Sequence, residues 1–163
     1  MTYIYSIIIL IFLLPVTNEV EVCDCARIEN WRTATVGEYE YVKDVFIGEV
    51  KKISEDKTEY EFVVLEVFKG NLKVGRTVKG INPKYCEPDV NKKGHWLFFG
   101  AFSDNFNLNE CGLTSNIEEP WRILPPPPPP ELKADEKKMI KKWKKEVREN
   151  MQEQISILRE ISD

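Results

Sequence analysis

Four cysteines are the residues of this chain whose type and spacing point most clearly to a defined chemistry. Cys23 and Cys25 are separated by one residue near the start of the chain, and Cys86 and Cys111 lie far downstream. A bond between Cys23 and Cys25 is disfavoured because disulfide geometry requires a wider reach. Each is therefore expected to pair with a distal cysteine, as 23–86 with 25–111 or as 23–111 with 25–86.

Zinc binding is the competing chemistry, because four thiolates are a suitable ligand set for this metal. Structural zinc sites usually have two to four residues between paired cysteines, whereas only Asp24 separates Cys23 from Cys25. We therefore expect two disulfides, no metal site of the chain's own and no cofactor.

The remaining polar residues do not form a catalytic pattern. His95 is the single histidine, and it begins an apolar run without a serine or cysteine nucleophile beside it. Glu59, Glu61 and Glu66 follow a strand pattern and indicate a solvated face. No glycine-rich phosphate loop is present. We expect that the protein is not an enzyme.

The N-terminal residues indicate export. Residues 3–14 (YIYSIIILIFLL) are almost wholly apolar and end at Pro15. This run is shorter than the roughly 20 residues that a membrane span needs, and it suits the core of a signal peptide. We assign residues 1–22 to a signal peptide cleaved between 17 and 22, which predicts a secreted or extracytoplasmic protein. An uncleaved leader, or a lipid on Cys23, would instead anchor the protein to a membrane.

Residues 23–123 have the pattern of a small β-barrel. A short helix is predicted at 36–43, and strands are predicted at 45–50, 59–68, 75–81, 95–102 and 106–109. Five short strands after a helix are consistent with a five-stranded Greek-key barrel of the OB type, mainly β with α additions. A sandwich is the alternative. The net charge is −4, and without a basic groove we expect no nucleic-acid partner.

The longest predicted strand changes face partway along its length. Tyr60, Phe62 and Val64 alternate on one face, after which Leu65 and Val67 place the apolar side chains on the other. Such a switch predicts a β-bulge or a sharp coil of the strand, which small closed barrels need in order to curve.

The C-terminal part consists of a proline segment, 124–130, and an amphipathic helix within 131–163. Six consecutive prolines favour a stiff spacer over a ligand for an aromatic groove. The apolar stripe of the helix is expected to dock on the barrel or to self-associate, rather than to bind an anionic surface. Its central residues are Ile140, Trp143, Val147, Met151 and Ile155.

Several of these segments together resemble the netrin-like fold. They are Cys23-Asp24-Cys25, DVFIGEV (44–50), YEFVVLEVFKG (60–70), Cys86, HWLFFGAF (95–102) and Cys111. Residues 23–115 are most similar to the N-terminal domain of tissue inhibitors of metalloproteinases (TIMPs) and their bacterial single-domain relatives. The resemblance implies the pairing Cys23–Cys86 with Cys25–Cys111.

The resemblance also implies a function for the N-terminal segment. In that family the mature chain begins at the first cysteine, whose α-amino group and carbonyl bind the catalytic zinc of a target protease. Here Cys23 would bind that zinc and Asp24 would enter the S1′ pocket. Cys25 and Ala26 would complete the inhibitory wedge, with Lys84 and Tyr85 alongside. The implied partner is a zinc metalloproteinase.

The sequence departs from the inhibitors at Asp24, where the family has Thr or Ser. A carboxylate entering an apolar pocket loses hydration, so ordinary matrix metalloproteinases are expected to be poor targets. The second, six-cysteine domain of the animal inhibitors is also missing. The alternative function is that of a non-inhibitory extracellular interaction module with the same fold.

Overall fold

The computed structural model describes residues 23–26, 28–120 and 136–162. The predicted signal peptide and the proline segment 124–130 lie outside the described residues. The elements, in chain order, are α1 (Trp31–Tyr41), β1 (Asp44–Ile53), β2 (Glu59–Lys69), β3 (Thr77–Ile81), β4 (Gly94–Phe102), β5 (Phe106–Leu108), β6 (Ser115–Asn116) and α2 (Glu136–Ser162).

Five strands close into a barrel in the order β1-β2-β3-β5-β4, with β4 pairing back onto β1. The β3–β5 pair is parallel, and the other pairs are antiparallel. The predicted five-stranded barrel with a short helix before it and a long helix at its end is therefore confirmed, and the sandwich alternative is wrong. The two-residue strand β6, which pairs with β4 through Trp96 and Leu97, was not predicted.

The predicted bulge occurs in the pairing of β1 with β2. Phe46 pairs with Val67 and Gly48 with Val64, and the register shifts between these pairs so that Leu65 has no partner in β1. Val67 consequently packs against the barrel interior. Leu65 is 39% exposed, so the predicted placement of Leu65 and Val67 together on the opposite apolar face is wrong.

Aromatic rings fill the barrel. Phe46, Phe62, Phe98 and Phe106 are fully buried, with ring centroids 4.8 Å apart for Phe62 and Phe98 and 4.9 Å apart for Phe46 and Phe106. A side chain on Gly80 would overlap the ring of Tyr60, so only glycine fits at this position. Rings of this size bury much apolar area in a small volume, which stabilises a barrel of short strands.

Helix α1 begins five residues before the predicted start at Val36. Asn30 caps it, because its side-chain oxygen accepts hydrogen bonds from the backbone N–H groups of Arg32 and Thr33. This is the usual role of an N-cap asparagine. The helix ends at Tyr41, because Val42 turns extended and is buried against the barrel.

Helix α2 packs on the outside of the barrel and on α1, where it forms a second apolar cluster. Met151 and Ile155 are buried in this cluster, at 1% and 9% exposure, and Val147 on the same helix is 5% exposed. Of the five predicted stripe residues, Ile140 is 41% exposed and Trp143 is half-buried. The helix therefore docks on the barrel, which is the first of the two predicted arrangements. Self-association through the same stripe would require buried side chains to leave the barrel.

Polar contacts fix where α2 sits. Buried Gln154 donates to Thr35 of α1 at 3.0 Å. Arg159 donates twice to Glu66 of β2, at 2.8 Å each, and this pairing lowers the pKa of Glu66. An apolar stripe alone tolerates sliding, whereas a buried hydrogen bond does not. In the described part of the chain, neither helix has the length and apolar character needed to cross a membrane.

Candidate functional site

Two disulfides tie the N-terminal segment to the barrel. Cys23 bonds to Cys86 and Cys25 bonds to Cys111, each with 5.2 Å between the Cα atoms. The Sγ atom of Cys23 also lies 3.6 Å from the Sγ atoms of Cys25 and Cys111. This is one of the two pairings that spacing allows, and the one that the resemblance implies. The four sulfurs form a single compact cluster.

The same sulfurs are the candidate metal ligands. Cys23, Cys25 and Cys111 are the only group of metal-type ligands that lies close enough together for one ion in the described residues. Metal binding requires thiolates, and all four cysteines are in disulfide bonds. The oxidised cluster is therefore a structural anchor.

The anchored segment is half-buried at its cysteines and exposed between and after them. Asp24 and Ala26 are exposed, whereas Cys23 and Cys25 are half-buried. The result is a short segment held at two points with an exposed carboxylate at its centre. Since a cross-link at each end removes most of its conformational freedom, little entropy is left to lose on binding.

A second segment is covalently joined to the first. Lys84 and Tyr85 precede Cys86 and are exposed, with the ammonium of Lys84 4.9 Å from the centroid of the Tyr85 ring. The Cys23–Cys86 disulfide brings this pair beside the N-terminal segment. The predicted wedge residues thus share one region of the surface.

Asn82 holds the loop that carries Lys84 and Tyr85. It is buried, and its amide donates to the carbonyl oxygens of Lys57 and Val90 at 2.8 and 3.1 Å. Its side-chain oxygen accepts from the N–H of Val90 at 2.9 Å. One side chain therefore closes both ends of loop 82–90.

Glu38 of α1 holds the loop that carries Cys111 in place, also through hydrogen bonds. Its two carboxylate oxygens accept from the side-chain amide of Asn109 at 2.8 Å and from the N–H of Leu113 at 2.7 Å. Cys111 lies between them in a left-handed conformation, with φ of 59°. Its N–H donates to the carbonyl oxygen of Glu87 at 2.6 Å, so the two disulfide-bearing loops are also linked directly.

An acidic cleft of about 340 Å³ lies next to this region. Glu87 and Asp89 line it, together with Trp96 and the ion pair of Lys92 with Glu119. Hydrogen bonding from Lys92, together with its positive charge, lowers the pKa of Glu119. Because of these carboxylates, the cleft has a negative potential beside Cys86.

The polar residues that are predicted to have no catalytic role lie on the surface. His95 Nδ1 is 2.8 Å from the Glu118 carboxylate, and both side chains are about half exposed. Glu59, Glu61 and Glu66 each pair with a lysine or arginine on a neighbouring element. These contacts agree with a solvated face, and the absence of catalysis stays a prediction.

Sequence reasoning missed Glu38 and Asn82, which position the two loops. Asn82 precedes Pro83 at the end of a strand, a combination that favours a turn, and this was the available signal. Glu38 is one of several acidic residues in its helix, and nothing in its spacing separates it from the others. Comparison of the sequence adds no further assignment, since no family model and no curated protein matches this chain.

Proposed function

We propose that this chain is an exported, netrin-like protein that inhibits a zinc metalloproteinase through the segment from Cys23 to Ala26. The observation that supports this is the double anchor, in which two adjacent disulfides fix the segment to a closed barrel. Disulfide bonds are compatible with an extracytoplasmic location. Removal of residues 1–22 would make Cys23 the first residue of the mature chain.

The chemistry of the inhibition resides in the main chain of Cys23. A free α-amino group has a pKa of about 7.7–8.0, so a substantial neutral fraction exists at physiological pH. The neutral amine and the adjacent carbonyl oxygen would bind the zinc of the protease in place of the attacking water. The zinc belongs to the target, and the chain supplies two rigidly placed ligands.

Asp24 determines which target is suitable. Its carboxylate is exposed and would enter the pocket beside the zinc, where loss of hydration opposes binding unless a partner compensates. A pocket that presents a cation or several hydrogen-bond donors would provide that partner. The inhibitor would therefore discriminate against proteases with apolar pockets.

The test uses two chains that differ at the N-terminus alone. One begins at Cys23 and the other has an alanine before Cys23, and both are assayed against a panel of zinc metallopeptidases. We expect inhibition by the first chain and a loss of about a hundredfold or more with the second, because the amine becomes an amide. Equal inhibition by both chains would refute zinc binding by the amine.

A second candidate function is that of a non-inhibitory interaction module. It is favoured by a groove of about 650 Å³ that includes Tyr41, Arg76 and Phe102. Tyr41 is 81% exposed, and the guanidinium carbon of Arg76 lies 4.6 Å from the centroid of the Phe102 ring. Exposed aromatic and arginine side chains are enriched at binding surfaces. If neither N-terminal form inhibits any protease, Tyr41→Ala and Arg76→Ala become the informative variants.

A further inference from the structure

Positive charge is concentrated in one short stretch of the chain. Residues 137–145 (KKMIKKWKK) contain six lysines and no acidic residue. The whole chain has a net charge of −4, so the remainder of the chain carries −10. A basic segment on an otherwise acidic protein is a surface for an anionic partner.

The structure shows which way these lysines project. Lys138, Lys141, Lys142 and Lys145 are all exposed. Their spacing of three and four residues in α2 places them along the side that faces away from the barrel. The opposite side of the same helix packs on the barrel through Met151, Ile155 and Leu158.

Most of this charge has no ion-pair partner in the part of the chain that the structure describes. Lys145 lies 3.4 Å from Glu149, one turn further along the helix. Among the described residues, Lys138, Lys141 and Lys142 have no ion pair. We name these four lysines, 138, 141, 142 and 145, the lysine row. At 1.5 Å per residue the row extends about 10 Å along the helix axis.

We propose that the lysine row binds an acidic polysaccharide, a linear chain with carboxylate or sulfate groups. A narrow row of cations matches a single extended polyanion, which can lie along the helix without meeting the acidic barrel. A DNA duplex is a wide cylinder of high charge density, and the −10 charge of the rest of the chain opposes its close approach.

A lipid surface fits the row less well. Helices that lie in a membrane interface bury their apolar face among the acyl chains. Here the apolar side of α2 is turned toward the barrel, where Met151 and Ile155 are buried. The lysines therefore offer electrostatic contact without an apolar face to insert beside it.

The test compares two variants with equal charge changes, both made in the full chain. One is K138Q/K141Q/K142Q/K145Q, and its control K43Q/K73Q/K79Q/K93Q removes four exposed lysines elsewhere. Heparin is the polysaccharide probe, and titration calorimetry measures its affinity. We expect the row variant to bind heparin about tenfold or more weakly than wild type, with the control within about threefold. Wild-type binding is expected to weaken strongly between about 0.05 and 0.3 M salt, because exposed charges are screened.

Four outcomes would overturn the proposal. Wild type that fails to bind heparin at low salt has no such site, and equal weakening in both variants means that only net charge matters. Tighter binding of duplex DNA than of heparin would assign the row to nucleic acid. Row-dependent binding of phosphatidylglycerol vesicles, with heparin binding unaffected by the variant, would assign it to lipid. Circular dichroism shows whether both variants keep the helix.

Discussion

The docking of α2 can be tested by removing one side chain at its centre. Leu158 is fully buried in the apolar cluster between α2, α1 and the barrel. Replacing a buried leucine by alanine costs about 3–5 kcal/mol, since transfer free energy is lost and a cavity remains. For a domain of this size that corresponds to a fall in melting temperature of about 10–20 °C. Ile161→Ala is the control, because Ile161 lies on the same helix but is 38% exposed, and we expect it to cost less than about 1 kcal/mol.

The assay is urea unfolding without reductant, followed by far-ultraviolet circular dichroism at two protein concentrations about a hundredfold apart. If α2 docks on its own barrel, the midpoints do not depend on concentration, because unfolding of a single chain is unimolecular. A wild-type midpoint that rises with concentration would show that α2 packs between chains. Equal losses for Leu158→Ala and Ile161→Ala would also refute the buried position of Leu158.

Three further variants test the supporting contacts. Asn82→Ala is expected to cost about 2–3 kcal/mol in urea unfolding, because it leaves buried backbone groups unpaired, whereas exposed Asn91→Ala should be nearly neutral. Gly37→Ala should stabilise the protein by about 0.5–1 kcal/mol, since open space surrounds Gly37 in α1; a loss of stability would contradict that geometry. The contact with Arg159 lowers the pKa of Glu66, so its stabilisation is present above the ordinary carboxyl pKa and is lost as pH falls through the lowered value. Glu66→Gln should therefore lose less stability than wild type on acidification, and an identical pH profile would refute the contact's role.

The barrel could be predicted from the sequence because its longest strand alternates and the others are short apolar runs between turn residues. Tyr60, Phe62 and Val64 recur at every second position, and the break after Val64 marks the bulge. The strand β6 gave no such signal, because two residues define no periodicity. Its pairing with β4 depends on the path of the loop before it, which is determined by tertiary contacts rather than by the local sequence.

The helix boundaries and the residues that hold the loops in place were harder to predict from the sequence. The start of α1 depends on capping by Asn30, and an asparagine before a weakly amphipathic helix is easily read as part of a loop. The direction of the apolar stripe in α2 was clear, but its partner was not. Sequence periodicity identifies a buried face without identifying what covers it, so docking and self-association stayed equal until Met151 and Leu158 were seen against the barrel.

The cysteine pairing could likewise be predicted only in part from the sequence. Spacing disfavoured a bond between Cys23 and Cys25 but left two connectivities open. The choice depends on which loop lies nearer to each cysteine, and that follows from the closed barrel and from Glu38 and Asn82. These two residues act at long range in the sequence, so local patterns carry little information about them.

The intact mass of the exported protein before and after reduction tests the inhibitory wedge most directly. We expect a chain that begins at Cys23 and gains about 4 Da on reduction of its two disulfides. Such a chain has a free amine at the end of a rigid segment, as zinc binding requires. A chain that begins upstream of Cys23, or that shows no mass gain, would contradict the wedge.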